Sequence, residues 1–219
     1  MKKALVAEFI GTFTLIFAGV GAIAHLGGGD KSAALVGIAM AHGLAIAVMV
    51  SALGSISGGH FNPAVTFGLL IGGKIKPCQT AAYWAAQLAG AAVAAYLMGC
   101  ILGTPAVSGG TPDLGKGVTM GTGILIEAVM TFFLVLVVYG TAVDGRAPKV
   151  GGLFIGITIL VDILLGGPVS GAAMNPARAF GPALASGHWA NHMVYWVGPL
   201  IGGGLAGLIY GRFLIQPDA

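Results

Sequence analysis

Two eight-residue stretches hold most of the residues that could do chemistry. Residues 57–64 read Ser-Gly-Gly-His-Phe-Asn-Pro-Ala, and residues 170–177 read Ser-Gly-Ala-Ala-Met-Asn-Pro-Ala. Asn62 and Asn175 are strong N-caps, and Pro63 and Pro176 follow where proline suits the first helical turn, so Asn62-Pro63-Ala64 and Asn175-Pro176-Ala177 are helix starts. A helix N-terminus carries unpaired N–H groups and roughly half a positive charge. Two such ends brought together would repel cations and hold a polar solute by dipoles. Arg178, three residues after Asn175, adds a full charge. Glu8 and Glu127 lie 54 and 48 residues before the two asparagines, one carboxyl for each motif. No nucleophile–base pair and no metal set appears, and Cys78 and Cys100 show no metal spacing. The chemistry is therefore recognition and passage; no enzyme activity and no cofactor are expected.

Composition says where these helices sit. The chain has 219 residues, 57% hydrophobic and only 8% charged, with 39 glycines. Soluble domains carry about 25% charged residues. The mean hydropathy is +0.94. This is an integral multi-pass membrane protein, partnered by the lipid bilayer. The net charge of +3 is too small and dispersed for nucleic-acid binding. Lys2 and Lys3 before an apolar run imitate a secretory signal, but Glu8 within the run argues against cleavage.

Apolar spans are expected at 4–26, 33–56, 80–103, 119–142, 151–168 and 193–214, with short helices at 61–71 and 176–186. Each short helix has roughly half the ~20 residues that a membrane span needs. Paired short helices in corresponding halves point to a central site. The predicted fold is all-α: six transmembrane helices plus two half-helices, as inverted three-helix repeats around a central pore. It forms one domain over 1–219, with a first repeat at 1–103, a linker loop at 104–117 and a second repeat at 118–219. With the termini cytoplasmic, Lys2, Lys3, Lys74, Lys76, Arg146, Lys149 and Arg212 lie inside, against Lys31 and Lys116 outside. That bias fits the positive-inside rule. The half-helices then come from opposite faces and meet near the midplane.

Irregular backbone at 57–61 and 170–174 is tolerated in a bilayer only when it lines a water-filled path or is buried. Its carbonyls would form a ladder of acceptors, and the two asparagines could offer amide N–H groups to a passing water. Arg178 would be a cation barrier in such a pore. Glu8 and Glu127 read as supports that accept N–H bonds from the two loops; a proton pathway is the alternative. His60, two residues before Asn62, reads as a loop support more than a solute contact. Asp162 carries no functional reading. The glycines at 202–204 and 207 read as close helix packing. An inverted-repeat secondary transporter and a structural membrane protein are the rival classes.

Asn62-Pro63-Ala64 and Asn175-Pro176-Ala177-Arg178, with Glu8 and Glu127 in spans one and four, resemble the aquaporin (major intrinsic protein) family over essentially the whole chain. The resemblance implies a pore in each protomer, a homotetramer, and passive conduction of water and small neutral solutes without protons or ions. It also implies a four-residue selectivity filter, whose matched positions here are His42, Ile163, Ala172 and Arg178. Orthodox water channels usually have Phe, His and Cys with the Arg, and glycerol channels Trp, Gly and Phe. The set here is similar to the tonoplast intrinsic proteins and to ammonia-permeable aquaporins, and the stretches 180–191 and 195–210 resemble the same subfamily. Water with ammonia is the expected cargo; a water-only pore, or one passing urea and hydrogen peroxide, is the alternative. The loop Thr111-Pro112-Asp113 lacks the His that some ammonia-permeable plant members carry there. The short termini look like a prokaryotic member, so the expected location is the cell (plasma) membrane.

Overall fold

In a computed structural model the chain folds as helices joined by short loops, and the structure describes residues 1–148 and 150–215. Among the described residues there is no strand. The first half holds α1 (Lys2–Leu26), α2 (Lys31–Ser57), α3 (Pro63–Ile71) and α4 (Pro77–Leu102). A short α5 (Thr104–Gly110) follows. The second half holds α6 (Met120–Val138), α7 (Gly151–Ser170), α8 (Pro176–Ser186) and α9 (Val194–Leu208). Wider π-type turns extend α6 to Val143 and α9 to Leu214. Among the described residues, six helices are long and apolar enough to cross a membrane, and α3 and α8 are half-helices.

Local chemistry sets the ends. Asp30 caps α2 by accepting from the Ala33 N–H, and Thr119 caps α6 through Thr122. Pro77 takes the first turn of α4, so that span starts three residues before the expected 80. Gly58 and Gly171 end α2 and α7 at φ +92° and +80°, left-handed values that a side chain would oppose. The expected linker loop 104–117 is the main difference. Its first part is α5, packed on α1, α4 and α8. Nothing apolar and periodic announces it; tertiary packing forms it. Lys149, counted above among the inner basic residues, and residues 216–219 lie outside the described residues.

α2 packs on α7, α1 on α4, and α6 on α9. The closest crossings are backbone to backbone. A Cβ on Gly43 would lie 2.6 Å from the Gly156 carbonyl oxygen, and one on Gly156 would lie nearer still to the Gly43 carbonyl oxygen. Gly203 similarly meets the Ala64 carbonyl at 2.6 Å, which seats α3 against α9. Such contacts hold helices together in lipid, where no hydrophobic force separates helix from tail. The halves echo each other in detail. The Tyr83 hydroxyl donates to the Ser57 carbonyl at 2.8 Å, and the Tyr195 hydroxyl to the Ser170 carbonyl at 2.9 Å. Trp84 and Trp196 meet edge to face across the half boundary, their centroids 6.0 Å apart.

Candidate functional site

The two half-helices meet end to end. Asn62 Oδ1 accepts from the Ala64 N–H at 2.8 Å, and Asn175 Oδ1 from Ala177 at 3.0 Å and Arg178 at 3.3 Å. Both asparagines cap, as their types demand. Their amide nitrogens also bind each other's loops. Asn62 Nδ2 donates to the Met174 carbonyl at 2.9 Å, and Asn175 Nδ2 to the Phe61 carbonyl at 3.0 Å. Each amide thus spends one hydrogen on locking the junction and keeps one for the lumen. Phe61, Ala172 and Met174 sit at φ +49°, +44° and +51°. Left-handed backbone is unusual for residues with a Cβ and persists only where the surroundings impose it.

Glu8 and Glu127 impose it. Glu8 accepts from the Ser57 hydroxyl (2.7 Å), the His60 and Phe61 N–H groups (3.0 and 2.7 Å) and the Gln87 amide (2.7 Å). Glu127 accepts from the Ser170 hydroxyl (2.7 Å) and the Ala173 and Met174 N–H groups (2.9 and 2.6 Å). Both carboxyls are fully buried and faced by donors. Gln87 is absent from the sequence candidates, although a lone amide in an alanine-rich span is a visible signal.

His60 does more than steady its loop. The Thr66 hydroxyl donates to the Asn62 carbonyl at 2.9 Å, so it accepts from Gln87 and, at 3.1 Å, from His60 Nδ1–H. In the neutral ring that tautomer leaves Nε2 as an acceptor. His60 also lines the cavity that runs past the junction.

That cavity holds about 470 Å³ of empty volume. Asn62, Asn175, Gly59 and Ala173 border it on the polar side, and Leu15, Val65, Leu134 and Ile159 on the apolar side. A second cavity of about 670 Å³ lies beyond it, walled by Gly109 to Asp113 and Gly171. His42, Ile163 and Arg178 line both, so they stand where the two join. Ala172 lines the first alone. His42 Nδ1 faces the Ile38 carbonyl at 2.9 Å, which leaves Nε2 as the acceptor of the neutral ring. Arg178 Nη1 donates to the Gly110 carbonyl at 2.8 Å, while its buried Nε has no partner among the described residues. The anchor is a backbone oxygen of the linker, which no side-chain pattern could announce. Asp162, beside Ile163, is buried and lines neither cavity.

The linker is tied down at the rim of the second cavity. Asp113 accepts from Asn191 at 2.8 Å and from His188 Nε2 at 3.0 Å, and Thr111 meets Ser186 at 3.3 Å. Partial burial pushes the Asp113 carboxyl up, but Asn191, the Leu114 N–H and His188 together outweigh it and hold it below the usual range. At the other rim, hydrogen bonds from Arg146 hold the Asp144 carboxyl well below the usual range.

Residues 1–210 match the family described as Major intrinsic protein. The chain belongs to the major intrinsic protein (aquaporin) family. Aquaporin TIP4-4 of Zea mays is 50% identical over 225 residues, covering 98% of this chain and 88% of that protein. Probable aquaporin TIP3-2 of Arabidopsis thaliana is 46% identical over 232 residues, covering 99% and 85%. The X-ray structure of the aquaglyceroporin from Plasmodium falciparum shares the fold at a TM-score of 0.85 and 24% identity, over 97% of this aquaporin and 96% of that chain. The likeness to tonoplast intrinsic proteins thus extends over nearly the full length. These relatives give no support to the cell membrane as the location.

Proposed function

We propose that this aquaporin, a passive water channel, also conducts neutral ammonia through a filter of His42, Ile163, Ala172 and Arg178. The observation that carries this reading is that His42, Ile163 and Arg178 line both cavities at their junction. A solute passing between the cavities would meet one fixed cation, the side of an imidazole ring and an apolar wall. The cation opposes ammonium and hydrated protons. Ile163 gives no acceptor to replace an ion's hydration shell, a loss that costs a neutral molecule far less. Deeper in, the free hydrogens of Asn62 and Asn175 would hold a water by its oxygen between two positive helix ends. Its own hydrogens then point away along the lumen, which interrupts a proton wire.

The loop charges and the apolar outer faces support the wider setting: cytoplasmic termini and a homotetramer. Val36, Met40, Leu44 and Val48 on α2, and Leu153, Ile157, Val161 and Leu165 on α7, are exposed along the span. Lipid or neighbouring protomers would cover them. The test of function is stopped-flow scattering on proteoliposomes under paired osmotic and ammonia gradients, for wild type and H42F/I163H. Fast water flux with ammonia flux lost in the double variant is expected. Water flux without ammonia flux in wild type would refute the ammonia assignment; urea or hydrogen peroxide flux would widen it.

A further inference from the structure

The His42 ring is held at one end and unsupported at the other. Its Nδ1 is fixed by the Ile38 carbonyl, one turn back on the same helix, at 2.9 Å. Its far edge lies over Gly19 of α1. A Cβ built on Gly19 would stand 2.7 Å from His42 Cε1 and 2.8 Å from Cδ2, with Nε2 nearer still. Real Cβ atoms essentially never come within 3.0 Å of another heavy atom, so the imidazole occupies space that only glycine leaves free. On its other side the ring borders both cavities.

We infer that Gly19 sets the width of the filter: the notch it leaves in α1 receives the free end of the His42 imidazole and keeps that ring out of the lumen. This rests on the filter reading of His42 given above. Gly19 touches no solute; it is a positioning residue that acts through His42. Any side chain at 19 must displace the ring, because the opposing backbone belongs to a packed helix and the ring is the movable partner. Ordinary contact begins at 3.4 Å, so the ring must move by about 0.7 Å or more. The lumen is the open direction. In a passage fitted to one small molecule, a shift of that size is a large share of the free width.

The experiment compares wild type, G19A, H42A, G19A/H42A and G21A in proteoliposomes, with water and urea as probes and protomer number normalised. G21A controls for a second alanine on the same helix: its Cβ would meet only Met98 Cε, at an ordinary 3.5 Å. Alanine is also the better helix former, so weakened helicity is not a route to lost flux. We expect G19A to lower water permeability roughly fivefold or more, G21A to leave it unchanged, and G19A/H42A to match H42A within about twofold. A G19A protein that folds only in the H42A background supports the contact equally. Full water flux in G19A overturns the inference, and so does a G19A defect that persists undiminished without the imidazole. H42A alone tests the reading beneath: if it leaves the urea-to-water ratio of wild type unchanged, His42 is no filter residue, whatever G19A does.

Discussion

Replacing Glu127 by Gln tests what holds the second loop. The carboxyl accepts from Ser170, Ala173 and Met174 and is fully buried. Glutamine keeps one acceptor oxygen, enough for Ser170 and Ala173, which share Oε1. Its NH2 then faces the Met174 N–H, donor against donor. One orphaned buried N–H costs about 1–3 kcal/mol, and two charge-assisted bonds reduced to neutral ones lose about 1 kcal/mol each. The expected total is about 3–5 kcal/mol. The equivalent change at Glu8 strands the Phe61 N–H in the same way, and turning the Gln87 amide to accept from a glutamine placed at position 8 would give up its bond to Thr66, so Glu8→Gln is expected to cost about as much. Reversible unfolding in mixed micelles measures both, and osmotic stopped flow reports the pore in the same samples. Because the loop carries Ala172 and Met174, the Glu127→Gln protein should also lose several-fold in water flux. Either variant within about 0.5 kcal/mol of wild type would refute the hydrogen-bond accounting.

Two further outcomes follow from the geometry. Ala172 is left-handed where the first half has Gly59, so Ala172→Gly relieves about 1–2 kcal/mol of strain. The more flexible unfolded chain returns about 0.5–1 kcal/mol of that, and mixed-micelle unfolding should read a net gain of up to about 1 kcal/mol. Asp113 has its folded pKa held below the ordinary value of 3.8, so its contribution is present above that value and is lost as pH falls through the folded one. The melting-temperature difference between wild type and Asp113→Asn should therefore be present at about pH 5 and vanish on further acidification.

The spans are legible because ~20 apolar residues in sequence admit few other readings, and because glycine, proline and lysine mark their ends. The half-helices are legible from Asn-Pro, whose capping chemistry is local. The supporting role of the two glutamates follows from a repeat that supplies one carboxyl per loop. What escapes is what sequence separation hides. α5 has no periodic apolar face and exists because α1, α4 and α8 surround it. The Gly110 carbonyl that holds Arg178 is backbone, the same atom in every residue type. The notch at Gly19 is a missing side chain, one glycine among 39 until a ring is seen lying over it. His60 reads as a loop support more than a solute contact because a His two residues from a cap says nothing of which way its second nitrogen faces.

On the filter reading proposed above, the repeat also explains why discrimination sits on one side of the junction. Asn62 and Asn175 are separated by 113 residues, and the same offset pairs Ser57 with Ser170 and Phe61 with Met174. Applied to the filter positions, it pairs Arg178 with Val65, Ala172 with Gly59 and His42 with Ile155. Val65, Gly59 and Ile155 all line the first cavity. Ile163 pairs with Val50, which lines a third cavity with Asp144 and Gly151. The fold thus builds two rings of corresponding positions, and only one of them carries a charge or an imidazole. The barrier that comes from helix ends is symmetric, since each half supplies one. The barrier that comes from side chains is not. For a neutral solute this asymmetry sets the height of a single barrier and not the direction of flow, because a passive pore relaxes a gradient equally from either side. One ring therefore suffices, and the other is free to be greasy.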